Sequence, residues 1–145
     1  MKNTDKEVEN LHITCYDALP SPGQIKEEYK LEGKALETVK KGQREVKDIL
    51  ERKDSRIIAI VGPCSIHNPI EAVEYAKLLK PLADELANEL LIVMRVYFEK
   101  PRTSIGWDGL IYDPHLDGSH RIDQGIRIGR KLTVSYTHLT LPTKA

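Results

Sequence analysis

Two cysteines, one tryptophan, one phenylalanine and no excess of either charge mark what this 145-residue sequence is short of. With Cys15 and Cys64 far apart, a disulfide framework is disfavoured, and the C-x2-C pairs of zinc sites are absent. The 22 basic residues are matched by 22 acidic ones. That balance argues against a general binder of nucleic acid or of acidic membranes, either of which calls for a basic excess. No stretch stays apolar for the roughly 20 residues that a membrane helix needs. The charged start, Met1 to Asn10, is not followed by the hydrophobic run of a secretory signal. The default expectation is a chain kept in a reducing cytoplasm, long enough to bury one modest core.

The sequence falls into sections without repeats or low-complexity tracts. Residues 1–30 read as polar and irregular, with a short β-like piece at Leu11–Thr14 and a turn signal at Pro20-Ser21-Pro22-Gly23. From Leu31 to Arg52, apolar positions Leu36, Val39, Val46, Ile49 and Leu50 recur at helical spacing, with Gly42 weakening the middle. Arg56 to Val61 is a β-branched run without polar alternation, the pattern of a strand buried on both faces in a parallel sheet. It stops at Gly62-Pro63. Asn68-Pro69-Ile70-Glu71 then reads as a helix start, with Asn68 as N-cap, Pro69 in the first turn and Glu71 placed for a capping box.

The helix that follows carries Ile70, Val73, Ala76, Leu79, Ala83 and Leu86 on one stripe, and Pro81 predicts a kink or restart within it. Leu90 to Phe98 reads as a second strand, which completes a βαβ unit with an expected right-handed crossover. A long Gly-, Pro- and Asp-rich loop from Glu99 to about His120 is too long for an idle connection. A last helix is expected over Arg121–Leu132. The Thr-rich residues 133–145 fit nothing before them and read as a foreign or irregular tail.

In parallel α/β folds, ligands bind where loops leave the carboxyl ends of the strands. That rule selects Cys64, Ser65 and His67 after the first strand, and Arg95, Lys100, Arg102 and Thr103 at the end of the second. Arginine gives two-pronged contacts to phosphate or carboxylate, lysine a movable point charge, and a thiol a soft metal ligand or a nucleophile. The combination suits small phosphorylated or carboxylated substrates. Blander readings stand beside each residue. A lone cysteine after a strand is more often a small core residue than a ligand. Arg95, inside an apolar strand, needs either a structural carboxylate or a bound anion, because an unpaired buried charge costs several kcal/mol. Lys100, Arg102 and Thr103 taken alone suit an ordinary exposed loop. His67, His115 and His120 are not spaced as a metal motif.

Three strings go further: Gly62-Pro63-Cys64-Ser65-Ile66-His67, Val93 through Thr103 (VMRVYFEKPRT), and Gly106-Trp107 through Asp113-Pro114-His115 with Asp117-Gly118-Ser119. In order and spacing they resemble the class I 3-deoxy-7-phosphoheptulonate (DAHP) synthases, over about Arg56 to Leu132 and more loosely toward the N-terminus. The resemblance implies an α/β fold made of an N-terminal extension (residues 1–54, a short strand and a helix) and the first two βα units of a (β/α)8 TIM barrel (residues 55–132), truncated before the rest. It also implies an enzyme of the cytoplasm that joins phosphoenolpyruvate to erythrose 4-phosphate, releasing phosphate, at the entry to aromatic amino-acid synthesis. A divalent metal of the manganese, iron or cobalt class is required in that family. By motif position, Cys64 resembles its cysteine metal ligand. Arg95 and Lys100 resemble the residues that hold phosphoenolpyruvate, and Arg102 and Thr103 those that grip the erythrose 4-phosphate phosphate. Lys100, close to the reacting centre, is also a candidate to move a proton.

The family's other metal ligands, a histidine and two acidic residues, lie on later strands, so the chain as written is expected to be inactive and poorly stable alone. In the family the N-terminal extension contributes to subunit contacts and to feedback inhibition by an aromatic amino acid. A homo-oligomer is therefore expected of the full-length form, and no nucleic acid or membrane partner is. Two alternatives remain at this point: a non-catalytic truncated or regulatory piece, and a related 3-deoxy-octulosonate 8-phosphate synthase. The latter shares the GPCS string but is disfavoured by the extended N-terminal region and the MRVYFEKPRT string.

Overall fold

A computed structural model describes residues 11–13, 16–100, 105–138 and 143–144. Its elements run α1 (Pro22–Glu28), α2 (Gly33–Leu50), β1 (Ile57–Val61), α3 (Pro69–Glu85), β2 (Leu90–Arg95), α4 (Ile122–His138) and β3 (Thr143–Lys144). The three strands form one parallel sheet in the order β1-β2-β3. The expected strand–helix–strand unit is present, with Ile57 opposite Leu90 and Val61 opposite Met94. This register brings the carboxyl ends of β1 and β2 side by side, which is what positions the site.

The core lies between the sheet and helices α3 and α4. Met94, Val96, Leu110 and Tyr136 are fully buried there, with Ile66, Ala76, Leu79, Ile92 and Leu132 around them. β2 is the central strand, and Leu91–Met94 are buried on both faces. β1 departs from expectation. It is an edge strand, and Ile57 and Ile60 stand 67% and 53% exposed. Nothing among the described residues covers them, so the apolar run reads correctly as strand but is not buried on both sides.

Local chemistry explains the element ends. Ser21 accepts from the Gln24 amide at 3.2 Å while its own amide donates to Gln24 Oε1 at 2.8 Å. This reciprocal capping box, with Pro22 at the first position, starts a helix where the sequence had read only a turn. Asn68 caps α3 by accepting from the Ile70 amide at 2.9 Å, but Glu71 does not reach back to the backbone. It accepts instead from Asn68 Nδ2 at 2.9 Å, so the cap is a side-chain pair and not a full box. α3 runs unbroken through Pro81. Pro81 and Lys77 both lie on the exposed face of the helix, where an unserved carbonyl is least costly.

Several other expectations shift. The buried stripe of α3 is Ala72, Ala76 and Leu79, while Ile70 is exposed. In α2 the buried residues are Ala35, Thr38 and Gly42, and Leu50 is exposed. Gly42 thus sits on the inward face of α2, lining a cleft with Thr38 and Glu45. Leu11 and His12 lie in a turn and not a strand, and Thr14 lies outside the described residues. α4 continues six residues past its expected end at Leu132, to His138, and carries Tyr136 and Thr137 into the core. Two residues of the expected tail, Thr143 and Lys144, pair in parallel with Met94 and Arg95.

Polar ties join the N-terminal helices to this body. Arg56, 17% exposed along its side chain, donates to Glu45 at 2.9 Å and Asp54 at 2.7 Å, and its Nη1 reaches the Ala87 carbonyl at 3.3 Å. Those carboxylates raise the Arg56 guanidinium further above its ordinary value, through hydrogen bonds first. Arg127 on α4 donates to Glu28 at 2.8 Å, and Arg130 to the Tyr29 carbonyl at 3.2 Å.

Candidate active site

The candidate site is built where β1 and β2 end. Gly62 follows β1 directly, and a Cβ there would lie 2.6 Å from the Arg95 carbonyl oxygen and 3.0 Å from Arg95 Cβ. Only glycine lets the two strand ends close to this distance. One bond beyond the ladder holds the two loops together: the Ile66 amide donates to the Tyr97 carbonyl at 2.8 Å. Cys64 and Ser65 therefore sit on a turn fastened to the segment that leaves β2.

Cys64 is a free, exposed thiol. Lys100 Nζ donates to its sulfur at 3.3 Å, although the two residues are 36 apart in sequence. The strand-end rule had selected both residues for one edge of the sheet, without pairing them. The contact sets a cationic donor directly against the one soft atom of the site. Ser65 Oγ, next in sequence, is buried without a hydrogen-bond partner among the described residues.

Arg95 differs from expectation in its surroundings. It is the last residue of β2 and is exposed, so it escapes the burial cost that a mid-strand charge would carry. Its guanidinium lies 5.2 Å from the centroid of the Tyr97 ring, a cation–π contact, and no carboxylate pairs with it among the described residues. The charge is left available to an anion. Arg102 and Thr103 lie outside the described residues. His67 is exposed and turned toward Glu71 on α3, 3.8 Å away. His115 contacts Gln124 at 2.6 Å.

Lys100 stands five residues past β2, and short antiparallel pairing holds it. Its amide donates to the Asp108 carbonyl at 2.9 Å, and the Leu110 amide donates to the Phe98 carbonyl at 2.7 Å. Glu99 and Gly109 form the bridge between them. Behind that pairing, Trp107 Nε1 donates to the Asp113 carbonyl at 2.7 Å. Asp113 is 6% exposed, and its Oδ2 accepts from the Gly118 amide at 3.1 Å. The sequence flagged the Gly106–Ser119 string as distinctive but gave Trp107 and Asp113 no role. The signal available was an aspartate and a tryptophan in a long loop, which composition alone does not separate from surface.

Among the described residues no group of three or more His, Cys, Asp or Glu side chains is placed to hold a metal ion. Cys64 supplies one soft donor, so the residues present do not make a complete metal site. A separate cleft lined by Glu45, Arg56, Lys80 and Leu90 opens at the other end of β2 and has no part in this constellation. No helix among the described residues is long and apolar enough to cross a membrane.

Comparison with known proteins gives a consistent set of likenesses. The model of the DAHP synthetase I family matches residues 28–141. The Tyr-sensitive phospho-2-dehydro-3-deoxyheptonate aldolase of Escherichia coli (strain K12) is 44% identical over 133 residues, which are 92% of this chain and 37% of that protein. The tyrosine-inhibited aldolase of Candida albicans is 48% identical over 134 residues, 92% of this chain and 35% of that one. The solved phospho-2-dehydro-3-deoxyheptonate aldolase of Francisella tularensis SCHU S4 superposes with a TM-score of 0.86 at 42% identity, over 90% of this chain and 38% of that one. The chain spans a little over one third of the length of these relatives.

Proposed function

The chain belongs to the DAHP synthetase I family, and on that premise we propose that it forms the N-terminal part of an enzyme condensing phosphoenolpyruvate with erythrose 4-phosphate to give DAHP and phosphate. The observation that carries this reading is the Lys100–Cys64 contact at 3.3 Å, at the carboxyl end of two parallel strands, the second of which ends in Arg95, a residue without a carboxylate partner among the described residues. In a (β/α)8 barrel those strands are the first two, and their carboxyl ends face the active site.

The chemistry assigned to these residues is electrostatic. Arg95 and Lys100 hold the phosphate and carboxylate of phosphoenolpyruvate. Arg102 and Thr103 grip the phosphate of the aldose. Two anionic substrates repel each other in water, and fixed cations on a rigid strand end remove that repulsion and set the angle of approach. Lys100 is the group in this constellation able to hand over a proton. Cys64 is one ligand of a divalent metal of the manganese, iron or cobalt class, the other ligands coming from the part of the relatives that this chain does not span. Residues 1–54, with α1 and α2, carry subunit contacts and response to an aromatic amino acid. The Tyr-sensitive and Phe-sensitive names of relatives support a response to an aromatic amino acid. Residues 133–145 we read as a foreign or irregular tail, although the family model's match runs to residue 141.

On this reading the 145-residue polypeptide alone turns over nothing, because one sulfur cannot hold the metal. A chimaera tests it: residues 1–132 joined in frame to the remaining two thirds of the E. coli relative, assayed for DAHP from the two substrates with manganese. Activity is expected, with Cys64→Ser and Lys100→Met each reducing it by about 100-fold or more. A chimaera with native circular dichroism but no activity, or one indifferent to both substitutions, overturns the assignment. Turnover of arabinose 5-phosphate in place of erythrose 4-phosphate would favour the octulosonate synthase.

A further inference from the structure

We propose that Asp113 and Trp107 are positioning residues that hold Lys100 on Cys64, acting through the antiparallel pairing of Phe98–Lys100 with Asp108–Leu110. The inference rests on the proposed role of Lys100 and deepens it.

The regular ladder of β2 ends at Arg95, so the sheet does not fix Lys100. What fixes it is the pair of bonds from Lys100 to Asp108 and from Leu110 to Phe98, closed around the Glu99–Gly109 bridge. Two such bonds are weak support by themselves, because an isolated two-stranded pairing is marginal in water. The second strand of this pairing is therefore only as well placed as the loop behind it.

That loop converges on one residue. The Asp113 amide donates to the Gly109 carbonyl at 3.0 Å, inside the pairing itself. The Asp113 carbonyl accepts from the Trp107 indole at 2.7 Å and from the Leu116 amide at 3.3 Å. Its carboxylate accepts from the Gly118 amide, where φ is +72°. Donor, acceptor and side chain of one residue thus tie Trp107, Gly109, Leu116 and Gly118 together, on both sides of Asp108. The close fit extends to Gly109, where a Cβ would stand 2.3 Å from the Phe98 carbonyl.

Asp113 is buried, and its Oδ1 has no hydrogen-bond partner among the described residues. Its Oδ2 alone is met, by the Gly118 amide, so the side chain's one bond is the one that ties the far side of the loop to Asp113.

The test uses the 145-residue chain with Cys15→Ser, which leaves Cys64 as the one thiol. The reading is the rate of Cys64 alkylation by iodoacetamide at one fixed pH, with far-ultraviolet circular dichroism as the check on folding. Lys100→Met is expected to slow alkylation about three- to tenfold, since it removes the cation that lies 3.3 Å from the sulfur. Asp113→Ala, which removes only the side-chain bond to the Gly118 amide and leaves both reacting groups in place, should shift the rate in the same direction by a smaller factor. Asp113→Asn, which keeps an acceptor for the Gly118 amide, should restore the parent rate. Trp107→Phe removes a single N–H and should also slow the reaction, which keeps the question open to test if Asp113→Ala fails to fold.

Folded Asp113→Ala and Trp107→Phe chains that alkylate at the parent rate, while Lys100→Met is slow, would overturn the positioning role and leave the Cys64–Lys100 pair standing. A Lys100→Met chain alkylating at the parent rate would overturn both.

Discussion

Gly125 and Gly129 lie one turn apart on the same face of α4, and substituting alanine at each should have opposite consequences. In a helix interior, Gly→Ala is worth up to about 1 kcal/mol of added stability, and that gain is the same at both positions. What differs is the space. A Cβ at Gly125 would stand 2.1 Å from the Ile111 carbonyl oxygen, 2.6 Å from the Ile111 carbonyl carbon and 2.7 Å from the Leu110 oxygen. These are backbone atoms of the segment that follows the Lys100 pairing, and none can rotate away. At Gly129 the nearest atom is Ile111 Cδ1 at 3.0 Å, the far end of a flexible side chain, then Phe98 Cε2 at 3.4 Å.

Overpacking of the first kind costs typically 1–3 kcal/mol and sometimes more. A 2.1 Å approach to backbone falls at the upper end of that range, so Gly125→Ala should lose about 2 kcal/mol net of the helix gain. In a chain of this length that corresponds to a Tm about 6–10 °C lower. Gly129→Ala should be neutral or gain up to about 1 kcal/mol. Thermal and urea unfolding followed at 222 nm, on parent and both variants, provides the comparison. Equal stability for the two variants would show that α4 does not seat on Leu110–Ile111 as described, and the support for Lys100 would go with it.

Asn68→Ala should cost about 1 kcal/mol in the same unfolding measurement, through loss of the α3 cap, while Asn68→Asp should cost less. Tyr136→Phe should stabilise by up to about 1 kcal/mol, because it removes a buried hydroxyl that has no partner among the described residues and keeps the ring in the core. A loss instead would mean that the hydroxyl is served. Hydrogen bonds from Arg56, then its charge, hold the Asp54 carboxyl below its ordinary value. The stability this contributes is complete above the ordinary aspartate range, about pH 4, and is lost as pH falls through the lower folded-state value. Between neutral pH and strong acid, the Asp54→Asn chain should therefore lose less stability than the parent, and a matching loss would contradict the pairing. Arg56→Met should destabilise by about 1–3 kcal/mol, since Glu45 and the Ala87 carbonyl lose a donor together.

The βαβ unit was legible because its signals are local and strong: an uninterrupted β-branched run, an Asn-Pro helix start, and a second apolar run. The strand-end rule then brought Cys64 and Lys100 into one neighbourhood across 36 residues, and the contact is there. Burial was less legible than element type. Ile57 and Ile60 read as core because their sequence suits a strand covered on both faces, yet β1 sits at the sheet edge and sequence pattern cannot say what lies beside a strand. α1 was missed although Ser21-Pro22-Gly23-Gln24 holds a full capping box, because Pro and Gly were weighed as turn residues before the Ser-to-Gln spacing was.

Pro81 shows that a proline on an exposed helix face need not break the helix. The end of α4 was misplaced because threonines after Leu132 lower helix propensity only slightly, and burial of Tyr136 outweighs that deficit. Asp113 and Trp107 were illegible as supports because their bonds depend on loop geometry that no periodicity encodes.

A nitroxide attached to Cys64 in the Cys15→Ser chain tests the convergence of the two strand ends most directly, through the broadening of backbone amide signals. The parallel register predicts strong broadening at Tyr97 to Lys100 and at Arg95, with Glu89 and Arg56, at the other end of the strands, spared. Sharp Lys100 and Tyr97 signals beside a broadened Glu89 would place the sulfur at the wrong end of the sheet and contradict the site.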